Sequence, residues 1–159
     1  MPFQLGANAH LRHTAFDHDE QDSGARSFGE INIDYPMQWG GIRLSPSIGV
    51  QHLAYNLDDT LNNAADNSPS VTAPQAQIKF DMVFEKNSAI RSTLEPGIFY
   101  VYRDADNQNA FPLFDTGLLT INRNHLTRDD AFSGYDRLED TNQAALYLTH
   151  RRFNTRHAD

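Results

Sequence analysis

From Phe3 to Arg12 the chain alternates without a slip, with Phe3, Leu5, Ala7, Ala9 and Leu11 on one side and Gln4, Gly6, Asn8, His10 and Arg12 on the other. Successive side chains of a β-strand point to opposite faces, so a period of two makes a ribbon with one oily and one polar face. The pattern recurs in E-I-N-I-D-Y-P-M-Q-W, where Ile31, Ile33, Tyr35, Met37 and Trp39 oppose Glu30, Asn32, Asp34 and Gln38. A helix would scatter these residues around its circumference and would not hold Pro36 in its interior. Ile42 to Gln51 repeats the alternation, and Gln75 to Glu85 does so again with Val83 as the exception. Ala89 to Tyr102 and Asn142 to Phe153 alternate less cleanly. The expectation is an all-β chain of about six antiparallel up-and-down strands, each longer than the ~5–6 residues usual in globular proteins.

The connections add a second regularity. D-H-D-E-Q-D-S-G-A-R-S is long, Gly40-Gly41 is minimal, and L-D-D-T-L-N-N-A-A-D-N-S-P-S-V-T is long. K-N-S is minimal again, and everything from Arg103 to about Asp140 is very long. Membrane β-barrels put tight turns on one side and long loops on the other, and a soluble sandwich has little reason to do so. The polar faces would then line a water-filled lumen and the apolar faces would meet lipid. Trp39 and Tyr35 beside Gly40, and Tyr100 and Tyr102 before the longest loop, fit the aromatic girdles of such a wall. Alternation alone also fits a soluble β-sandwich, for instance a carbohydrate-binding module, with the apolar side as its core. Dependence on detergent separates the two.

Composition narrows the classes. A net charge of −8, with 13 Lys and Arg scattered along the chain, argues against nucleic acid, which needs a clustered basic face. With no cysteine, disulfides, thiolate metal sites and cysteine nucleophiles are excluded. No run of ~18 apolar residues exists, so a spanning helix is excluded, whereas spanning strands of ~9–11 residues are not. M-P-F-Q-L-G-A-N lacks the basic and apolar regions of a secretory signal. Either the protein stays inside or the chain is a piece of a longer one.

Candidate chemistry is sparse. His10 and His13 fall on opposite faces of a strand and cannot share a metal, and His18, His52, His125, His150 and His157 form no ligand spacing. D-A-D-N-Q-N from Asp104 imitates the start of a calcium loop, but Asn109 stands where the turn glycine belongs and Asp115 replaces the bidentate glutamate. Neither G-x-S-x-G nor a phosphate-cradling glycine loop occurs. No enzyme activity, metal or cofactor is expected. Asp17, Asp19, Glu20, Asp22, Asp58 and Asp59 read as loop-solvating acids. A proline at position 96 within T-L-E-P-G-I-F-Y-V-Y-R-D marks a bulge or a local break in pairing.

Three linked motifs carry a resemblance. T-L-E-P-G-I-F-Y-V-Y-R-D, then L-F-D-T-G, then F-S-G-Y-D-R-L-E-D-T-N-Q, in that order between Ser92 and Gln143, resemble the LPS-assembly protein family of Gram-negative outer membranes (LptD, also OstA or Imp). The motif residues are Arg103, Asp104, Asp115, Asp136, Arg137, Asn142 and Gln143. The chain departs from the pattern at Gly97, where the family usually has arginine, at the shortened V-Y-R, and mildly at Leu138 and Thr141.

The resemblance implies that residues 1–159 are one partial barrel segment, with no second domain, from the middle of a wall of about twenty-six strands. A periplasmic jelly-roll, the strands of a lateral opening and the family's disulfide cysteines would lie outside it, so that the fragment alone would be an open sheet with unpaired edges. It implies lipopolysaccharide as the passenger, a lipoprotein plug subunit (LptE-like) and a periplasmic bridge protein (LptA-like) as partners, and the Gram-negative outer membrane as the location. Sugars would pass along a lumen wall of Glu30, Asp34, Arg43, Gln51, Gln77, Lys79, Asp81, Arg91 and Glu95. The loop around Asp115, Asp136 and Arg137 would fold over the outer mouth or pack on the plug. A different outer-membrane channel is the remaining alternative.

Overall fold

The computed structural model describes residues 5–17, 23–59, 67–88, 90–106, 108–109, 111–114, 117–118 and 132–153. Strands β1 (Gly6–Phe16), β2 (Ser23–Asp34), β4 (Ile42–Asp59), β5 (Ser70–Met82), β7 (Arg91–Arg103) and β10 (Thr141–Phe153) pair in that order in one antiparallel sheet. The short β3 (Met37–Trp39) continues β2 along β4, and β6 (Phe84–Lys86) continues β5 along β7. The sheet is thus an up-and-down meander, curled into an open half-barrel. β8 (Gly117–Leu118) and β9 (Phe132–Ser133) form a separate two-stranded piece within the last long connection. As the spacing predicted, the tight turns at Gly40-Gly41 and after Lys86 share one end, and the long connections share the other.

Prolines explain the interruptions. The register runs unchanged from Asp34↔Ser47 to Met37↔Leu44, with a gap at Tyr35-Pro36. Tyr35 N–H donates to the Pro46 carbonyl at 3.0 Å, and Pro46 has no N–H to return. Pro96 faces a similar gap, since Asp81↔Gly97 and Phe84↔Leu94 keep one register across it. On its other side the ladder to β10 passes through Leu148↔Pro96 without a shift. The interruption expected at Pro96 is therefore a one-sided break and not a bulge. Val83, which spoils the alternation, donates its N–H instead to the Gly41 carbonyl at 2.7 Å.

The strands reach further than the alternation suggested. β2 begins at Ser23, inside the stretch read as loop, and β4 runs on to Asp59 while β5 starts at Ser70. In these extensions the two faces exchange character. Along β4 the outward residues are apolar from Ile42 to Val50, then polar at His52, Asn56 and Asp58. The inward residues do the reverse, from Arg43, Ser45, Ser47 and Gln51 to the buried Leu53, Tyr55 and Leu57. β5 inverts in the same way, with Val71 and Ala73 buried inside and Gln75, Gln77, Lys79 and Asp81 following on that face.

The outward apolar belt crosses the whole sheet, through Leu11, Ile31, Ile33, Ile48, Val50, Ile78, Ile98, Leu146 and Leu148. Ile48 is 61% exposed and Leu146 79%, and among the described residues no second sheet covers them, so this belt is not the core of a sandwich. Tyr35 and Trp39 near the tight turns and Tyr100 and Tyr102 near the long loops are exposed on the same face.

The core lies on the other face, at the long-loop end. Phe28, Leu53, Tyr55, Leu57, Val71 and Ala73 of the strands pack with Phe111 and Leu138 of the β7–β10 connection. Phe16, Phe114 and Tyr135 close its margin, with Phe16 and Phe114 ring centroids 3.9 Å apart. Each fully buried side chain of this kind contributes ~1.5–3 kcal/mol, enough to hold the connection against the sheet.

Candidate functional site

The register sets Glu30, Asp34, Arg43, Gln51, Gln77, Lys79, Asp81, Arg91 and Glu95 on the face opposite the apolar belt. That follows from the period of two, since each occupies the alternate position to an outward apolar residue. The structure gathers part of the set into a network. Glu30 Oε1 accepts from Asn32 Nδ2 at 2.6 Å, Gln75 Nε2 at 3.1 Å and Gln51 Nε2 at 3.3 Å. Gln75 Oε1 in turn accepts from Arg103 Nε at 3.0 Å and Nη2 at 2.8 Å. Arg103, 1% exposed, is thereby linked to Glu30 through one amide, and four strands are tied together at the level where the faces invert. Gln77 takes no part in it.

Nearer the tight turns, Asp81 accepts the Tyr147 hydroxyl at 2.5 Å, and Glu95 accepts Thr93 Oγ1 at 2.8 Å and Arg151 Nη1 at 2.9 Å. Arg91 pairs with Glu85 at 2.6 Å. The ring of Tyr147 packs over Gly97, its partner across the β7–β10 ladder, so the position that lacks the expected arginine is covered by an aromatic ring. A Cβ at 97 would collide with that ring. Gly-to-Ala changes in strands ordinarily gain ~0.5–1 kcal/mol. Gly97→Ala is expected to do the opposite, losing about 1 kcal/mol with the Tyr147–Asp81 bond, read as a lower urea midpoint of the assembled barrel. An unchanged or raised midpoint would show that the ring is not held there.

Of the motif residues in the last connection, Asp136 is the one built into the packing. Asp136 is fully buried and joined to the equally buried Arg26. Its Oδ1 also accepts the Tyr55 hydroxyl at 3.0 Å, and its Oδ2 accepts the Phe114 N–H at 2.7 Å. Gln108 pairs both ways with the Leu138 backbone at 2.8 Å, clasping the two arms of the connection. Arg12 stacks 4.7 Å over Tyr135. Arg137 keeps a buried Nε with no partner among the described residues. Asp104 is exposed, with its N–H on the Pro74 carbonyl at 3.2 Å. Gln143 faces inward beside Val101, and Asn142 faces outward, accepting the Tyr100 hydroxyl at 3.1 Å.

Asp115, Asp19, Glu20, Asp22, His18, His125 and His157 lie outside the described residues. His10 packs against Phe28 and Tyr135 on the inner face, whereas His13 bonds Ser27 at 3.0 Å on the outer one. Among the described residues no group of three or more His, Cys, Asp or Glu could hold a metal. Arg26 and Tyr55 were not singled out from the sequence. The signal was present in H-L-A-Y-N-L, Leu53, Tyr55 and Leu57 being apolar on the odd positions after a run apolar on the even ones.

An antiparallel meander with an apolar exterior, a polar interior and turns short at one end and long at the other defines a section of a membrane β-barrel wall. Within that class the match is specific: the family profile described as LptD, LPS transport system D, covers residues 1–159. Relatives named LPS-assembly protein LptD include those of Methylococcus capsulatus, 38% identical over 94% of this chain, and Saccharophagus degradans, 33% identical over 86%. That of Xanthomonas campestris pv. campestris is 33% identical over 87%. This chain belongs to the LptD family. It spans only 15% of the Methylococcus relative and 18% of the Saccharophagus one.

Proposed function

We propose that residues 1–159 form part of the wall of an outer-membrane translocon that inserts lipopolysaccharide into the outer leaflet of a Gram-negative cell. Family membership supports the passenger, and the exchange of faces along β4 and β5 supports the membrane. Ile42 to Val50 is the length a tilted strand needs to cross hydrocarbon, ~9–11 residues. Beyond it the wall turns polar outward and apolar inward, as a protein standing in water must. Saccharide would move along the inner face, where amides and charges of both signs offer hydrogen bonds, and acyl chains would leave sideways into lipid through an opening outside this segment. No covalent step is required of these residues. A lipoprotein plug and a periplasmic bridge protein are the partners this role calls for, the bridge docking on a region beyond the chain.

Photo-crosslinking residues placed in the full-length barrel test the reading. Those at Asn8 and Gln77, on the inner face, are expected to capture lipopolysaccharide in transit, with capture ceasing when transport is de-energised. One at Ile48 should capture lipid regardless of transport. Inner positions that never label during active transport would refute the path.

A further inference from the structure

Arg43 and Asp81 face each other directly across β4 and β5 on the inner wall, a placement that ordinarily makes a cross-strand ion pair. They do not pair. Asp81 is taken by the Tyr147 hydroxyl, which reaches it from β10 because Gly97 leaves room for the ring to lie across β7. Glu95, the next carboxylate, is held by Thr93 and Arg151. Both carboxylates bond elsewhere, and among the described residues Arg43 and Lys79 have no hydrogen-bond or ion-pair partner. Arg43, Lys79 and Arg151 line a depression of about 350 Å³ together with the carboxylates of Asp81 and Glu95 and the hydroxyls of Ser45 and Thr149, so its cations outnumber its carboxylates by one. A second hollow, of about 550 Å³, shares Arg43, Glu95 and Arg151 with it and runs on to the Gly40-Gly41 turn.

We infer that Arg43 and Lys79 form an anion subsite on the inner wall, which takes a phosphate or carboxylate group carried on a saccharide and is kept open because Tyr147 withholds Asp81 from Arg43. The inference rests on the saccharide path proposed above and deepens it. A guanidinium fork and an ammonium point charge, flanked by two hydroxyls, suit a tetrahedral or planar oxyanion. The site opens to water, so screening keeps the hold weak, and a moving passenger must be released as readily as it is bound.

The test uses the full-length barrel during active transport, with p-benzoylphenylalanine at Ser45 inside the subsite or at Asn8 elsewhere on the same face. The probes are purified lipopolysaccharide, the same material dephosphorylated with hydrofluoric acid, the same material with its carboxyls reduced, and material treated both ways. Arg43→Gln with Lys79→Gln is expected to lower labelling at Ser45 about tenfold and leave Asn8 unchanged. Tyr147→Phe keeps the ring on Gly97 but frees Asp81 for Arg43, and is expected to lower Ser45 labelling in the same direction without removing a charge. Whichever probe loses Ser45 labelling identifies the anion. Labelling at Ser45 that ignores these variants, or that persists with both anionic groups removed, overturns the subsite while Asn8 labelling keeps the path. Loss of labelling at both positions in the unmodified wall overturns the path and the subsite with it.

Discussion

Asp136→Ala in the full-length barrel is expected to release the β7–β10 connection from the inner face, at a cost of about 3–5 kcal/mol to its attachment. The reason is what the change leaves behind. Arg26 is 3% exposed and its carboxylate partner is Asp136, so the variant strands a buried guanidinium and takes the acceptor from the Tyr55 hydroxyl and the Phe114 N–H. The strands should persist, since their ladders do not involve Asp136. Limited proteolysis in detergent would therefore cut between residues 104 and 140 while the barrel keeps its heat-modifiable mobility. Arg26→Met combined with Asp136→Leu should recover part of the protection, because no charge is left stranded, while the Phe114 N–H and the Tyr55 hydroxyl still lack the carboxylate. Tyr55→Phe, which removes the hydroxyl from the Asp136 carboxylate and carbonyl but strands no charge, should cost less, about 1–2 kcal/mol. A connection equally resistant in Asp136→Ala and the unmodified protein would mean that the Phe111, Phe114 and Leu138 packing holds it unaided.

This ion pair also marks where the sequence stopped being readable. The strand faces, the alternation of short and long connections and the break at Pro96 follow from local rules, because period two and the missing proline N–H act within a few residues. Arg26 and Asp136 lie 110 residues apart, and nothing local pairs them. Arg26 was further obscured by its setting in S-G-A-R-S, where glycine and serines read as loop, although cross-strand partners at Arg26↔Tyr55 and Thr14↔Arg26 make it strand. The inner-face polar set was legible residue by residue, but its division was not. That Gln75 would join Arg103 to Glu30, or that Tyr147 would cross Gly97 to reach Asp81, depends on which strand lies beside which. The motif F-S-G-Y-D-R-L-E-D was recognisable before its physical meaning was. In the structure Tyr135, Asp136 and Leu138 are the contacts that fold the connection inward, so much of that motif encodes packing.

The membrane itself is tested most sharply by placing one charge at two heights on the same strand. Ile48→Arg sits within the outward apolar belt of β4, and Asn56→Arg sits on the same face above the point where it turns polar. An arginine deep in hydrocarbon on the lipid face of a barrel costs about 2–4 kcal/mol, and near the interface about 0–1. Urea titration of the full-length barrel folded into lipid vesicles should show that separation, with Leu146→Arg on β10 behaving like Ile48→Arg because both side chains are outward and exposed. In water the expectation reverses, since an arginine replacing an exposed isoleucine then improves solubility at little cost to stability. Equal effects at 48 and 56 would therefore remove the bilayer from the outward face, and with it the wall's assignment to a membrane barrel.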